Sequence, residues 1–196
     1  MAGDVRCFPM QNYDYLTYEE FGRKFFEVAV TPARVAAAFA DIAGNEFSME
    51  PIGQGPGKIA KVSAKVKLRE PRVTRHLGDN ITFVIRIPLS IDLLVDLRLD
   101  KQRFTVAGDI ALRATARAAK PLLLMVNVEK PLPSDITVNV SSKSIRGEVL
   151  RMLAGIDDEI RRFVAQYVTA EIDSPQSQAA QVIDVTHQLE ATWADP

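Results

Sequence analysis

The sequence has little of what most catalytic sites are built from: of 196 residues, one is a cysteine, Cys7, and two are histidines, His76 and His187. A single cysteine excludes an intramolecular disulfide and a thiolate metal cluster within one chain. His76 lies among basic residues and His187 near the C-terminus, so no His-X-X-X-His or Cys-X-X-Cys pair exists and no alternating Asp loop replaces it. A hydrolytic triad would need a histidine beside a nucleophile and an orienting acid, and no Gly-X-Ser-X-Gly elbow occurs. No catalytic residue, metal ligand or cofactor is therefore predicted, and the chain reads as a non-enzyme. Excess charge is missing too. Lys and Arg number 24 against 25 Asp and Glu, a net charge of -1, so no global field draws nucleic acid or an anionic membrane and such contact needs a local patch. Apolar runs such as Leu122 to Val126 fall far below the roughly 20 residues that span a bilayer. Met1 to Pro9 lacks a basic segment followed by an apolar one, so no export signal is read and a cytoplasmic location is expected.

What the sequence does have is periodicity. From Ile81 the odd positions are large and apolar through Ile85, Ile87, Ile91, Leu93 and on to Leu99, while the even ones include Arg86, Ser90, Asp92 and Asp96. That period of two is a half-buried strand. Extended, it would run roughly 60 Å, longer than a compact globule of this size is wide, so it must coil, with Pro88 as the expected bend. Asp100-Lys101-Gln102 reads as a turn, and Phe104, Val106, Ile110, Leu112, Ala114 and Ala116 continue the pattern on even positions, giving a long antiparallel hairpin. Gly108 keeps that phase and suits a close approach. In Lys58–Leu68 the positions Val62, Ala64, Val66 and Leu68 alternate with Lys61, Ser63, Lys65 and Lys67, a strand with a basic outer face.

Shorter strands are expected near Phe47–Ile52, Leu122–Val128 and Ile136–Val140. Phe21–Val30, rich in aromatic and β-branched residues, reads as a first strand. Thr31-Pro32 then starts a short helix carrying Val35, Phe39 and Ile42. After Ser144 the period becomes helical, with Ile145, Val149, Leu153, Ile156, Ile160, Phe163 and Tyr167 three or four apart. The expected organisation is an arm (1–20), one α+β domain (21–172), and a polar linker with a short amphipathic helix bearing Trp193 (173–196). Gly53-Gln-Gly-Pro-Gly57 is a turn, since it lacks the Gly-Lys-Ser/Thr ending of a phosphate loop. Asp92 and Asp96 read as a solvated face.

The long hairpin Ile81–Ala116 and the helical segment Ile145–Val164 resemble the tubular lipid-binding superfamily, which includes bacterial phospholipid-binding members. That resemblance implies a long, strongly coiled antiparallel meander wrapped around a long C-terminal helix, with acyl chains held between them. The same order also resembles the Bet v 1-like or START-type helix-grip fold, whose members include lipid carriers and cyclases. Either implies an apolar cavity, lined here by Val35, Phe39, Ile42, Ile85, Ile87, Ile91, Leu93, Leu112, Val149, Leu153, Ile156, Ile160 and Phe163. The expected function is non-catalytic binding of a lipid or other hydrophobic molecule. Lys61, Lys65 and Lys67 are candidates for transient contact with anionic headgroups. Nucleic acid is not expected, since no aromatic residue accompanies the basic strip. The alternatives are a cyclase or isomerase, with Tyr167 or Asn127 pointing inward, and an interaction module that pairs into a homodimer through sheet edges or the tail.

Overall fold

The computed structural model describes residues 13–39, 44–58, 60–97, 100–138 and 155–193. The chain divides into two units, Met1–Thr31 and Pro32–Pro196.

The first unit corrects the reading of Phe21–Val30 as a strand: Tyr18–Ala29 is an α-helix, α1. Aromatic content favours a strand, but two local features outweigh it here. Tyr18, Phe21, Phe25 and Val28 are spaced by three and four, which places them on one helical face. Thr17 and Glu20 form a capping box, the Glu20 amide donating to Thr17 Oγ1 at 3.2 Å and the Thr17 amide to Glu20 Oε2 at 2.9 Å. The Phe21 and Phe25 rings stack with centroids 6.4 Å apart.

The second unit opens with α2 (Pro32–Ala38), with Pro at the first helical position as its fixed φ favours. Seven strands follow in order: β1 (Glu46–Gln54), β2 (Ala60–Leu68), β3 (Arg72–His76), β4 (Ile81–Asp96), β5 (Lys101–Ala119), β6 (Leu123–Val128) and β7 (Ile136–Val138). Helix α3 (Ile156–Ile172), the short α4 (Pro175–Ala180), strand β8 (Val182–Asp184) and α5 (Val185–Trp193) complete the described residues. The strands form one strongly curled antiparallel sheet in the order β1-β2-β4-β5-β6-β8, with β3 paired to β4 and β7 to β5. The segment expected to be a polar linker carries α4, and β8 joins the sheet beside β6 through Leu123↔Asp184 to Met125↔Val182.

The hairpin β4–β5 is the spine, in unbroken register from Ile81↔Ala116 to Asp96↔Lys101. Pro88 does not break it. Residues on an antiparallel strand direct their N–H and C=O to the same neighbour, and the Pro88 carbonyl accepts from the Arg69 amide at 2.8 Å. The missing Pro88 donor therefore faces the gap between β2, which pairs Leu89 to Asp96, and β3, which pairs Thr82 to Arg86. The proline marks a break in the neighbouring edge, and β4 runs through it. Strand β3 is not among the strands expected from sequence, because Arg72, Arg75 and His76 leave too few apolar positions to show a period. On the other side of the spine, β6 and β7 share one edge of β5 in the same way.

At Gly108 the chain needs a residue without a Cβ. A methyl there would stand 2.5 Å from Leu89 Cδ1 and 2.6 Å from the Thr137 carbonyl oxygen of β7. In β1 the pairing shifts between Met49 and Ile52, a bulge that accommodates Pro51, which cannot donate to the ladder.

Candidate functional site

One face of the sheet is apolar and withdrawn from water. Every odd position of β4 from Ile81 to Val95 is buried, together with Val62, Ala64, Val66 and Leu68 on β2, and Ile110, Leu112 and Ala114 on β5. Since side chains alternate across a strand, matched burial on three paired strands makes a single inner surface. No buried polar or charged residue occurs among the described residues.

Helix α3 lies against this surface, held from both sides. Its buried stripe is Ile156, Ile160, Val164, Val168 and Ile172, every fourth residue along one helix face. Phe163 and Tyr167, about 100° round on one flank, meet Phe47 of β1: the Tyr167 ring stacks on it at 3.7 Å and 9°, and the Phe163 ring lies 5.7 Å away. On the opposite flank Arg161 donates to the Val138 carbonyl at 3.5 Å, and Ala165, Thr169 and Asp173 face the turn Pro131–Pro133. Lys130 pairs with Asp173 at 2.7 Å. Strands β1 and β7 stand on opposite sides of the spine, so for both to touch one helix the sheet must curl around it. Gly155, at φ 84°, turns the chain into α3, and Asp157, Asp158 and Glu159 in the first turn complement the helix dipole.

Most of the residues predicted to line a cavity are withdrawn from water. Ile85, Ile87, Ile91, Leu93, Leu112, Ile156 and Ile160 are buried, as are Val35 on α2 and Phe39 just beyond it, and α2 packs against β3. Phe163 is half-buried at the helix flank. Ile42, Val149 and Leu153 lie outside the described residues, as does Ile145. The sequence reading missed the Phe47–Tyr167 stack, since nothing local joins two residues so far apart.

The polar candidates face elsewhere. Asn127 is exposed and pairs with Thr115 on the outer face. Tyr167 is half-buried at the flank of α3, its hydroxyl hydrogen-bonded to Glu171 and Asn45; burial first, then the Glu171 carboxylate, raises its pKa. Lys65 and Lys67 also lie on the outer face, where Glu46 pairs with their Nζ atoms at 2.5 and 3.1 Å. Hydrogen bonds from Lys65 and Lys67 hold the Glu46 carboxyl below its usual range, and those contacts push Lys65 up. Lys61 stands opposite Asp96 in register. Glu46 thus bridges two of the three lysines within the sheet. Asp92 accepts from Thr105 Oγ1 at 2.6 Å, and Asp96 pairs with Lys101 at 3.3 Å, so both are engaged as outer-face residues. An open groove of about 640 Å³ crosses that face between Lys65, Asp92, Arg103 and Thr105. A second, of about 680 Å³, lies between Ala33, Ala36 and Ala37 of α2 and the end of β2 at Leu68. Among the described residues no three His, Cys, Asp or Glu side chains cluster as a metal site. No helix among them is long and apolar enough to cross a membrane.

No protein-family model matches the chain, and no curated protein does. Among solved structures, the crystal structure of a lipopolysaccharide binding protein aligns with 83% of this chain at 12% identity and a TM-score of 0.34. The chain spans 39% of that protein's length. A likeness so distant carries no argument about function.

Proposed function

We propose that the protein binds a lipid or another hydrophobic small molecule, without catalysis, in the apolar space between the inner face of the sheet and α3. One observation carries the reading: among the described residues, the helix held by the sheet is shorter than the sheet's apolar face. The 16 residues of β4 present a buried apolar face about 50 Å long, whereas the 17 residues of α3 extend about 26 Å. An elongated apolar surface with no buried polar residue among the described residues suits a flexible hydrocarbon chain, whose binding needs area and shape more than hydrogen bonds. Ile85, Ile91, Leu112, Ile156 and Ile160 are the contacts this reading assigns to the ligand.

The reading is tested by titrating a fluorescent fatty acid into the wild type and into Leu112→Trp. If Leu112 borders a ligand space, the indole fills that space, probe binding falls at least tenfold and the fold is retained. In a filled core the same substitution overpacks and costs about 1–3 kcal/mol of stability. A destabilised variant, with no probe bound by the wild type, would defeat the proposal.

A further inference from the structure

Two turns stand together at one end of the sheet: residues 77–80, between β3 and β4, and residues 120–122, between β5 and β6. They share that end because His76 pairs with Thr82, Ile81 with Ala116, and Ala119 with Leu123. Two strand spacings, about 10 Å, separate them. Each turn carries a leucine in open solvent, Leu77 at 56% exposure and Leu122 at 51%. Beside them the side chains of His76, Arg117 and Lys120 are exposed, and among the described residues no ion pair engages Arg117 or Lys120. The segments 72–80 and 117–122 also hold Arg72, Arg75 and a lone carboxylate, Asp79. The opposite end of the spine carries two carboxylates, Asp96 and Asp100, in sequence with Arg98, Lys101 and Arg103.

We propose that the end bearing Leu77 and Leu122 docks on an anionic lipid surface. The two leucines enter the boundary between headgroups and acyl chains, and Arg117 and Lys120 contact lipid phosphates. Apolar tips collared by cations match the layering of such a surface, apolar below and anionic above. Guanidinium groups also suit phosphate oxygens in paired hydrogen bonds. A single-stranded nucleic acid would call for aromatic platforms, and these two segments have none. The lipid contact anticipated at Lys65 and Lys67 moves to this end, because Glu46 already occupies both lysines. The docking surface stands on the two turns alone and holds whether or not the interior takes a ligand.

Flotation of the full chain with vesicles of phosphatidylcholine, with and without phosphatidylglycerol, tests it. The chain is expected to float with the anionic vesicles only, and less as salt rises. Arg117→Gln and Lys120→Gln should each weaken binding about fivefold, and about 25-fold together, at about 1 kcal/mol per basic residue near the surface. Leu77→Ser with Leu122→Ser should weaken it at least about tenfold while circular dichroism is unchanged, since both residues are exposed. Arg103→Gln, at the opposite end, should leave it unchanged. No flotation with anionic vesicles at low salt, or flotation that Arg103→Gln reduces as much as the tip variants do, would overturn the proposal.

Discussion

Replacing Gly108 by alanine probes the packing that lets the sheet curl. The added methyl meets two obstacles, Leu89 Cδ1 at 2.5 Å and the Thr137 carbonyl oxygen at 2.6 Å. Leu89 can rotate aside, but the carbonyl belongs to backbone. Moving it means displacing β7, which holds β5 through three residue pairs, Gly108↔Val138, Asp109↔Thr137 and Ile110↔Ile136, and which α3 touches. Overpacking of this kind costs about 1–3 kcal/mol, and the immobile carbonyl places Gly108→Ala in the upper part, about 2–3 kcal/mol. For a chain of this length that is a fall in Tm of about 4–12 °C. Urea unfolding followed by circular dichroism reads it directly. Gly78→Ala serves as control, because its methyl would find only the Asn80 carbonyl oxygen, at 3.9 Å, and should stay within about 0.5 kcal/mol of wild type. Adding Leu89→Ala to Gly108→Ala should recover only part of the clash, leaving a measurable coupling between the two sites. A Gly108→Ala protein as stable as wild type would refute the close approach of β7 to β5.

Three further outcomes follow from the same structure. Ile160→Ala, at a fully buried position on α3, should cost about 2–5 kcal/mol in urea unfolding; a cost below about 1 kcal/mol would mean that α3 is not gripped by the sheet. Because Lys65 and Lys67 hold the Glu46 carboxyl below its ordinary 4.5, the folded state gains from this pairing above pH 4.5 and loses the gain as pH falls through the lowered value. Urea midpoints measured between pH 7 and 3 should therefore drop less steeply in Glu46→Gln than in wild type, and equal slopes would count against the pairing. Burial raises the Tyr167 phenol above 10.0, so its contribution is present below pH 10.0 and disappears as pH climbs through the raised value. Tyr167→Phe should flatten that alkaline limb, and an unchanged limb would mean the ring does not sit against Phe47.

Those elements whose period was long and uniform were legible from sequence. The alternation from Ile81 to Ala116 located the spine hairpin and its inner face, and with it Ile85, Ile91 and Leu112. Elements decided by a partner distant in sequence were harder to read. Strand β3 is five residues with three basic side chains, and it exists because β4 offers it an edge beside the break at Pro88. The helix α1 was hidden by aromatic residues that suit strands, although the spacing Tyr18, Phe21, Phe25, Val28 and the Thr17–Glu20 pair were present in the sequence. Pairing of Lys65 and Lys67 with Glu46 depends on the register between β1 and β2 across a turn, so a sequence scan sees the lysines and not the carboxylate that bridges two of them. The exposed pair Leu77 and Leu122 is invisible for the same reason, since only the sheet brings the two turns to one end.

Mass spectrometry of the purified full chain, first native and then after denaturation and organic extraction, is the most direct measurement of hydrophobic-ligand binding. The account predicts a lipid or comparable apolar molecule near one per chain, retained in the native spectrum and released only on unfolding. A chain that is empty in the native spectrum, yields nothing on extraction and takes up no added fatty acid would contradict it.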